Sequence, residues 1–187
     1  MVTAGKHIRI YFEGDKKLTR GFHTFLLGPG TRGAARVNLS HTDGQPIRDF
    51  RRGQKSHPGA VNLLLLDSDE MPNRRQELAD CPDNVFWMTE LMEAWFIADS
   101  GNLRGYYGTD FNENALPSNP KVEHIPKKDV VDGLKGATRD TQKGVYHKTR
   151  HAPDLLMLMN LDREKVKRAA MECERLFRRI DLLLAAE

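Results

Sequence analysis

The sequence predicts an α/β fold: a mostly parallel, four-stranded sheet sandwiched by helices, followed by C-terminal helices. Three observations support this class. Four short segments rich in β-forming residues alternate with four helical patterns over the first hundred residues. One of these segments, 60–66, is a continuous apolar run, which is typical of a strand buried on both faces of a parallel sheet. The length of 187 residues is that of one domain.

Each predicted strand is followed by a predicted helix. The strands are expected at 7–13, 34–39, 60–66 and 84–90, and the helices at about 19–27, 44–54, 72–80 and 91–99. Thr19 is the expected N-cap of the first helix, and the Gly-Pro-Gly sequence at 28–30 is expected to end it.

The second half of the chain has a different composition. Residues 101–150 are rich in Gly, Pro, Asn and Lys, so we expect a loop-rich insertion after an α/β core at 1–100. Residues 151–187 are expected to form C-terminal helices, with Asp162 as the N-cap of the last one. These helices are predicted at about 153–160 and 162–185.

Composition indicates the compartment and some excluded classes. Cys81 and Cys173 lie far apart and outside any metal-binding motif, so we expect reduced thiols in a cytoplasmic protein. No stretch approaches the roughly 18 apolar residues of a membrane-spanning helix, so no membrane partner is expected. The net charge of +3 permits a DNA or RNA partner without requiring one.

Acidic residues follow the predicted strands. Glu13 ends the first strand, Asp67 and Asp69 follow the third, and Glu90 and Glu93 follow the fourth. Because the carboxyl ends of parallel strands meet at one edge, we expect these carboxylates to converge there. Mg²⁺ or Mn²⁺ would remove their mutual repulsion. The alternative is that each acid caps a helix or lies in solvent, which suits Glu90 and Glu93 best.

Other phosphate-handling motifs fit less well. Haloacid-dehalogenase-type phosphatases carry Asp-x-Asp on the first strand with Thr or Val after it, whereas here it follows the third strand and Met71 takes that place. Nucleotide-sugar glycosyltransferases are usually larger and lack an early Glu-Gly. The glycine-rich segment 28–33 lacks the Gly-Lys-Ser/Thr ending of a nucleotide-binding loop.

A basic segment precedes the C-terminal helices. It carries Lys135, Arg139, Lys143, Lys148 and Arg150 against the single acid Asp140. Such a loop beside a metal site would clamp a phosphate backbone through Lys143, Lys148, Arg150 and His151, and Lys148 would stabilise transition-state charge. A solvated loop is the alternative. His147 and His151 have i, i+4 spacing, but no third soft ligand is evident, so we expect surface or phosphate-facing roles.

The chain also resembles a known family over nearly its whole length. The segments IYFEGDKKLTRGFHTFL, NLLLLDSDE, LMEAWFIAD, YYGTDFNENALPSNPKVEHIPK and KGVYHKTRHAPDLL resemble the domain-of-unknown-function-4276 family. Glu13-Gly14 together with Asp67-Ser68-Asp69 resembles the TOPRIM arrangement of topoisomerases, primases and overcoming-lysogenization-defect nucleases.

The resemblance implies a metal-dependent nuclease. Glu13, Asp67 and Asp69 would bind Mg²⁺ or Mn²⁺ and serve phosphodiester cleavage, with Glu93 as a further ligand. It also implies a partner of the AAA or SMC-like ATPase type in bacterial phage defence. Lys17 stands where nuclease members commonly carry a second acid. A single-metal enzyme, a lysine replacing one cation's charge, a non-catalytic subunit of an ATPase complex and a small-molecule phosphatase therefore stay open as alternatives.

Overall fold

The structure, a computed structural model, describes residues 6–28, 31–68, 71–158 and 163–186. Within these residues, four parallel strands form one sheet in the order β2-β1-β3-β4. The strands are β1 (Ile8–Glu13), β2 (Val37–Thr42), β3 (Val61–Asp67) and β4 (Val85–Met88). The predicted α/β class with a parallel sheet and C-terminal helices is confirmed.

Helices cover both faces of the sheet. They are α1 (Leu18–Leu27), α2 (Pro46–Ser56), α3 (Met71–Glu77), α4 (Ala94–Ile97), α5 (Ser100–Tyr107), α6 (Lys127–Thr138), α7 (Lys148–Leu158), α8 (Arg163–Ala169) and α9 (Met171–Ala185). Among the described residues, none of these helices is both long enough and apolar enough to cross a membrane.

The alternation of side chains along the strands builds two cores. On one face, Leu63 and Leu65 of β3 join a large apolar cluster that includes residues of α1, α4, α6, α7 and α9. On the other face, Leu64 and Leu66 pack in a smaller cluster with Phe50 of α2. Each of these leucines is at most 1% exposed, and burying one such side chain stabilises the fold by about 1.5–3 kcal/mol.

Two predicted boundaries in the first half differ from the structure. The second strand begins at Val37 because Ala34–Arg36 forms a 3-10 turn after Gly33, whose φ is +81°. Helix α1 begins one residue before the predicted N-cap Thr19, and the hydroxyl of Thr19 donates to the Lys16 carbonyl at 2.7 Å. Thr19 is therefore not the N-cap, and that prediction is wrong.

The segment 101–150 is richer in helix than the sequence indicated, since it contains most of α5 and all of α6. The glycines of α6 read as loop signals, but one of them has a packing reason. A Cβ on Gly133 would lie 2.6 Å from Cδ of Pro117, so glycine lets the helix approach that segment closely. The apolar positions Val130 and Leu134 are fully buried.

The C-terminal helices also have different limits. Helix α7 begins at Lys148, five residues before the predicted start at about 153. The long last helix is divided into α8 and α9 by Ala170, whose backbone is extended. The Glu123 carboxylate accepts the Met171 and Glu172 N–H groups at 2.9 and 2.8 Å and so caps α9. The predicted cap Asp162 lies outside the described residues.

Candidate metal and phosphate site

Glu13 and Asp67 end the neighbouring parallel strands β1 and β3. The structure brings them together, because the Asp67 N–H donates to Glu13 Oε2 at 3.1 Å. Gly14 follows with φ +146°, a conformation that side-chain-bearing residues rarely adopt, and a Cβ there would lie 3.1 Å from Leu18 Cδ1. The Glu-Gly sequence is thus explained by a turn that only glycine makes without strain.

Arg74 of α3 binds both carboxylate oxygens of Glu13. Its Nη1 donates to Oε2 at 2.6 Å and its Nη2 donates to Oε1 at 3.0 Å. Nη1 also donates to the Asp67 carbonyl at 3.3 Å. The Arg74 and Glu13 side chains are only 18% and 23% exposed, so this is a partly buried, bidentate ion pair. Sequence reasoning missed Arg74, and its position on the helix after the Asp-x-Asp strand was the available signal.

The donor atoms at this edge suit a hard cation. Carboxylate oxygens are the ligands that Mg²⁺ and Mn²⁺ prefer, and a guanidinium already shows that Glu13 attracts positive charge. No group of three or more His, Cys, Asp or Glu side chains able to hold a metal occurs in the part of the chain that the structure describes. Asp69 lies outside those residues. Glu13 and Asp67 therefore fit a divalent ion by chemistry, provided that Arg74 leaves the carboxylate.

Glu90 ties the ends of β3 and β4 together. Its backbone is left-handed, with φ +61°, and its N–H donates to Ser68 Oγ at 2.7 Å. The carboxylate of Glu90 accepts the Lys127 N–H at 3.0 Å, at the first residue of α6. Glu90 is thus a helix cap, as the alternative interpretation of this residue held. The strained backbone at an edge of the sheet is itself typical of functional sites.

Glu93 is the buried counter-ion of Lys148. Glu93 is 2% exposed, Tyr146 donates its hydroxyl to Oε1 at 3.1 Å, and Lys148 Nζ lies 3.5 Å from Oε2. Burial, together with the Glu93 charge, raises the pKa of Tyr146 far above its usual range, so the hydroxyl stays a donor. The Lys148 side chain is 41% exposed and can reach a ligand while it is held.

The other predicted phosphate-binding residues divide into two groups. Arg150 and Lys143 are exposed, and Lys143 Nζ lies over the Tyr106 ring, 4.5 Å from its centroid. The predicted surface position of His151 is wrong, since this residue is 2% exposed and its Nδ1 accepts the His147 N–H at 3.0 Å. Burial places the imidazole of His151 out of reach of a phosphate backbone.

Comparison with known families adds one finding. A family model described as Domain of unknown function (DUF4276) matches residues 44–181, well over half of the chain. The chain belongs to this family. No curated protein and no solved structure is significantly similar to it.

The DUF4276 match contains most of the candidate site. It includes Asp67, Arg74, Glu93 and Lys148, whereas Glu13 lies upstream of it. In this DUF4276 protein the ends of β1 and β3 therefore join the Glu13 carboxylate, the backbone of Asp67 and the Arg74 guanidinium. Carboxylates are groups that hard cations prefer, and a guanidinium is a group that phosphate oxygens prefer.

Proposed function

We propose that this DUF4276 protein is a metal-dependent nuclease of the cytoplasm, which cleaves phosphodiester bonds of DNA or RNA. The observation that carries the proposal is the contact between Glu13 and the backbone of Asp67 at the carboxyl ends of adjacent parallel strands. Ligands of open α/β sheets bind at this edge. Acids after the first and third strands also support a TOPRIM-like relationship, which is part of the proposal.

The chain's own residues would divide the work. Glu13, Asp67 and Asp69 would hold Mg²⁺ or Mn²⁺, which when bound polarises the scissile phosphate and activates water. Lys148, held by buried Glu93, would bind and orient the phosphate backbone from the start of α7. Exposed Arg150 would add sequence-independent attraction for the same backbone.

A specific observation favours a second candidate, a non-catalytic subunit of an AAA or SMC-like ATPase complex in phage defence. Arg74 already neutralises Glu13, and exposed Lys17 takes the place of a second acid. If the Glu13–Arg74 pair is permanent, the acidic edge is structural and the chain acts through its partner.

Titration with Mn²⁺ by calorimetry tests the proposal before any cleavage assay. We expect the wild type to bind and the Asp67→Asn/Asp69→Asn double variant to lose binding. The matched control is Asp110→Asn/Asp140→Asn, which removes the same charge at two exposed positions and should bind as the wild type does. A wild type that binds no Mn²⁺ at millimolar concentration would overturn the nuclease and favour the ATPase subunit.

Activity then separates the enzyme classes. A nuclease should cut DNA or RNA oligonucleotides with Mn²⁺, and the Asp67→Asn variant should be inactive. Unchanged cleavage by that variant would remove the assignment of Asp67. Turnover of a generic phosphate monoester without oligonucleotide cleavage would instead point to a small-molecule phosphatase.

A further inference from the structure

The Glu13–Arg74 pair is the starting point for a further role. Both oxygens of the Glu13 carboxylate are hydrogen-bonded to the guanidinium of Arg74, at 2.6 and 3.0 Å. Oε2 also accepts the Asp67 N–H at 3.1 Å, so both of its lone pairs are already used, and a metal ion could bind this oxygen only after a hydrogen bond is released. A divalent ion at Glu13 would lie within a few ångströms of the guanidinium and repel it. Metal and Arg74 therefore compete for one carboxylate.

The displaced guanidinium would stay at the site. Arg74 lies on α3, seven positions after Asp67 in sequence, and its Nη1 already contacts the Asp67 carbonyl at 3.3 Å. Because Arg74 follows β3 so closely in the sequence, its side chain can still reach this edge of the sheet after it leaves Glu13. A planar guanidinium matches two phosphate oxygens as well as it matches two carboxylate oxygens.

We infer that Arg74 exchanges partners: it holds Glu13 until a divalent metal arrives, and it then binds a phosphate oxygen of the substrate. This inference rests on the proposed function and adds a phosphate-binding residue to it. The Glu13 charge would thus stay paired at every stage, first with Arg74 and then with the metal, while Arg74 pairs with the phosphate. A purely structural arginine would instead remain on Glu13 throughout.

The neighbouring Arg75 provides a matched control on the same helix. Arg75 is exposed, and its guanidinium lies over the Trp87 ring, 5.7 Å from the centroid, on the α2 side of the sheet. Removing either arginine changes the net charge by the same amount. Only the loss of Arg74 frees Glu13.

Calorimetric Mn²⁺ titration of Arg74→Gln, Arg75→Gln and wild type measures the competition directly. We expect Arg74→Gln to bind Mn²⁺ about tenfold more tightly than wild type or more, and Arg75→Gln to change the affinity by less than about threefold. Arg74→Lys keeps the charge without the bidentate grip and should lie in between. It also keeps the test valid if Arg74→Gln folds poorly.

The possible outcomes distinguish failure of the partner exchange from failure of the proposed nuclease function. Wild type that binds Mn²⁺ no less tightly than Arg74→Gln and Arg74→Lys would overturn the exchange and leave the nuclease standing. Failure of all variants and wild type to bind would overturn both. Binding by Arg74→Gln alone would also overturn both, since Arg74 would then keep the metal off Glu13 in the wild type and never release the carboxylate.

The second half of the exchange is tested on a ligand. With Mn²⁺ present, the wild type should bind cleavage-resistant phosphorothioate oligonucleotides of DNA or RNA. Arg74→Gln should bind whichever of these the wild type prefers about tenfold more weakly, although its affinity for Mn²⁺ is higher. Arg75→Gln should bind as the wild type does. Equal oligonucleotide affinity in Arg74→Gln and wild type would remove the phosphate role.

Discussion

His151 shows how one buried side chain ties the start of α7 to the core. Its Nδ1 accepts the His147 N–H at 3.0 Å, so the imidazole must be neutral, with its proton on Nε2. The rings of Tyr106, Tyr107 and Tyr146 surround it, with centroids 5.7–6.4 Å away. Protonation would remove the acceptor and bury a charge among these rings.

The pKa of His151 should therefore make stability depend on pH. Burial lowers it below the ordinary value, the charges of Arg150 and His147 lower it further, and Asp154 opposes them. Because the unfolded state then binds more protons, the contribution of His151 is fully present above about pH 6.5 and is lost as pH falls through the folded-state pKa.

Urea unfolding at pH 7.5 and pH 5 measures this effect. The wild type should lose free energy of unfolding at the lower pH, and His151→Gln, which cannot titrate, should lose less. His124→Gln is the control, since His124 is exposed and is not among the groups that shift the pKa of His151, so it should leave the wild-type dependence unchanged. Identical losses in wild type and His151→Gln would contradict the prediction.

For single residues, the sequence predicted which side chains belong to the candidate site better than it predicted their contacts. Glu13 and Asp67 meet because both end neighbouring parallel strands, and strand ends can be read from apolar runs. Arg74 was missed because the sequence shows that it follows the Asp-x-Asp strand but does not show that its long, flexible side chain reaches back to Glu13. His151 was misplaced because the residues directly before it in sequence are polar, and two of the tyrosine rings that enclose it come from a distant part of the chain.

Helix α9 covers the edge of the sheet that β4 forms. β4 is an edge strand, and edge strands present unpaired backbone groups. The Trp87 N–H donates to Glu172 Oε2 at 3.3 Å, and Arg175 donates to the Val85 carbonyl. Glu172 and Arg175 are themselves paired at 2.8 Å. These two side chains thus satisfy one N–H group and one carbonyl group on the open side of β4.

Removing this pair should expose the edge to other molecules. We expect Glu172→Ala/Arg175→Ala to lower the free energy of unfolding by about 2 kcal/mol or more, because each side chain makes a charge-assisted bond to the backbone. The uncovered strand should also cause concentration-dependent self-association in sedimentation velocity.

Glu174→Ala/Arg178→Ala is the matched control for the edge variant. That pair lies on the same helix at 2.9 Å but is exposed, so its loss should cost about 0–1 kcal/mol and leave the protein's association unchanged. Equal stability and equal sedimentation of the two double variants would show that the β4 edge needs no cover.

Elements were predictable where the hydrophobic pattern was strong. The run of β3 and the stripe of α1 fixed their type and nearly their limits. α6 was not predicted because its glycines resemble loop signals, although Gly133 serves close packing against Pro117. The division between α8 and α9 depends on Glu123, which lies far away in sequence and caps α9 only in the folded chain.

The two cores of the molecule share one sheet. Trp95 belongs to the larger cluster, where its ring lies 5.4 Å from that of Phe25, and Trp87 belongs to the smaller one. Successive residues of β3 point alternately into one core and the other. Opening either core would expose one face of β3 to solvent, so the two cores should unfold together.

The two tryptophans of the chain make this cooperativity measurable. In Trp87→Phe the fluorescence of Trp95 reports on the larger core, and in Trp95→Phe the fluorescence of Trp87 reports on the smaller one. For each variant, we expect the urea transition by fluorescence to coincide with its own transition by far-UV circular dichroism, as in two-state unfolding. If the Trp87 signal changed at lower urea than the dichroism, the α2 face would open as a separate unit, and the shared strand would not couple the two cores.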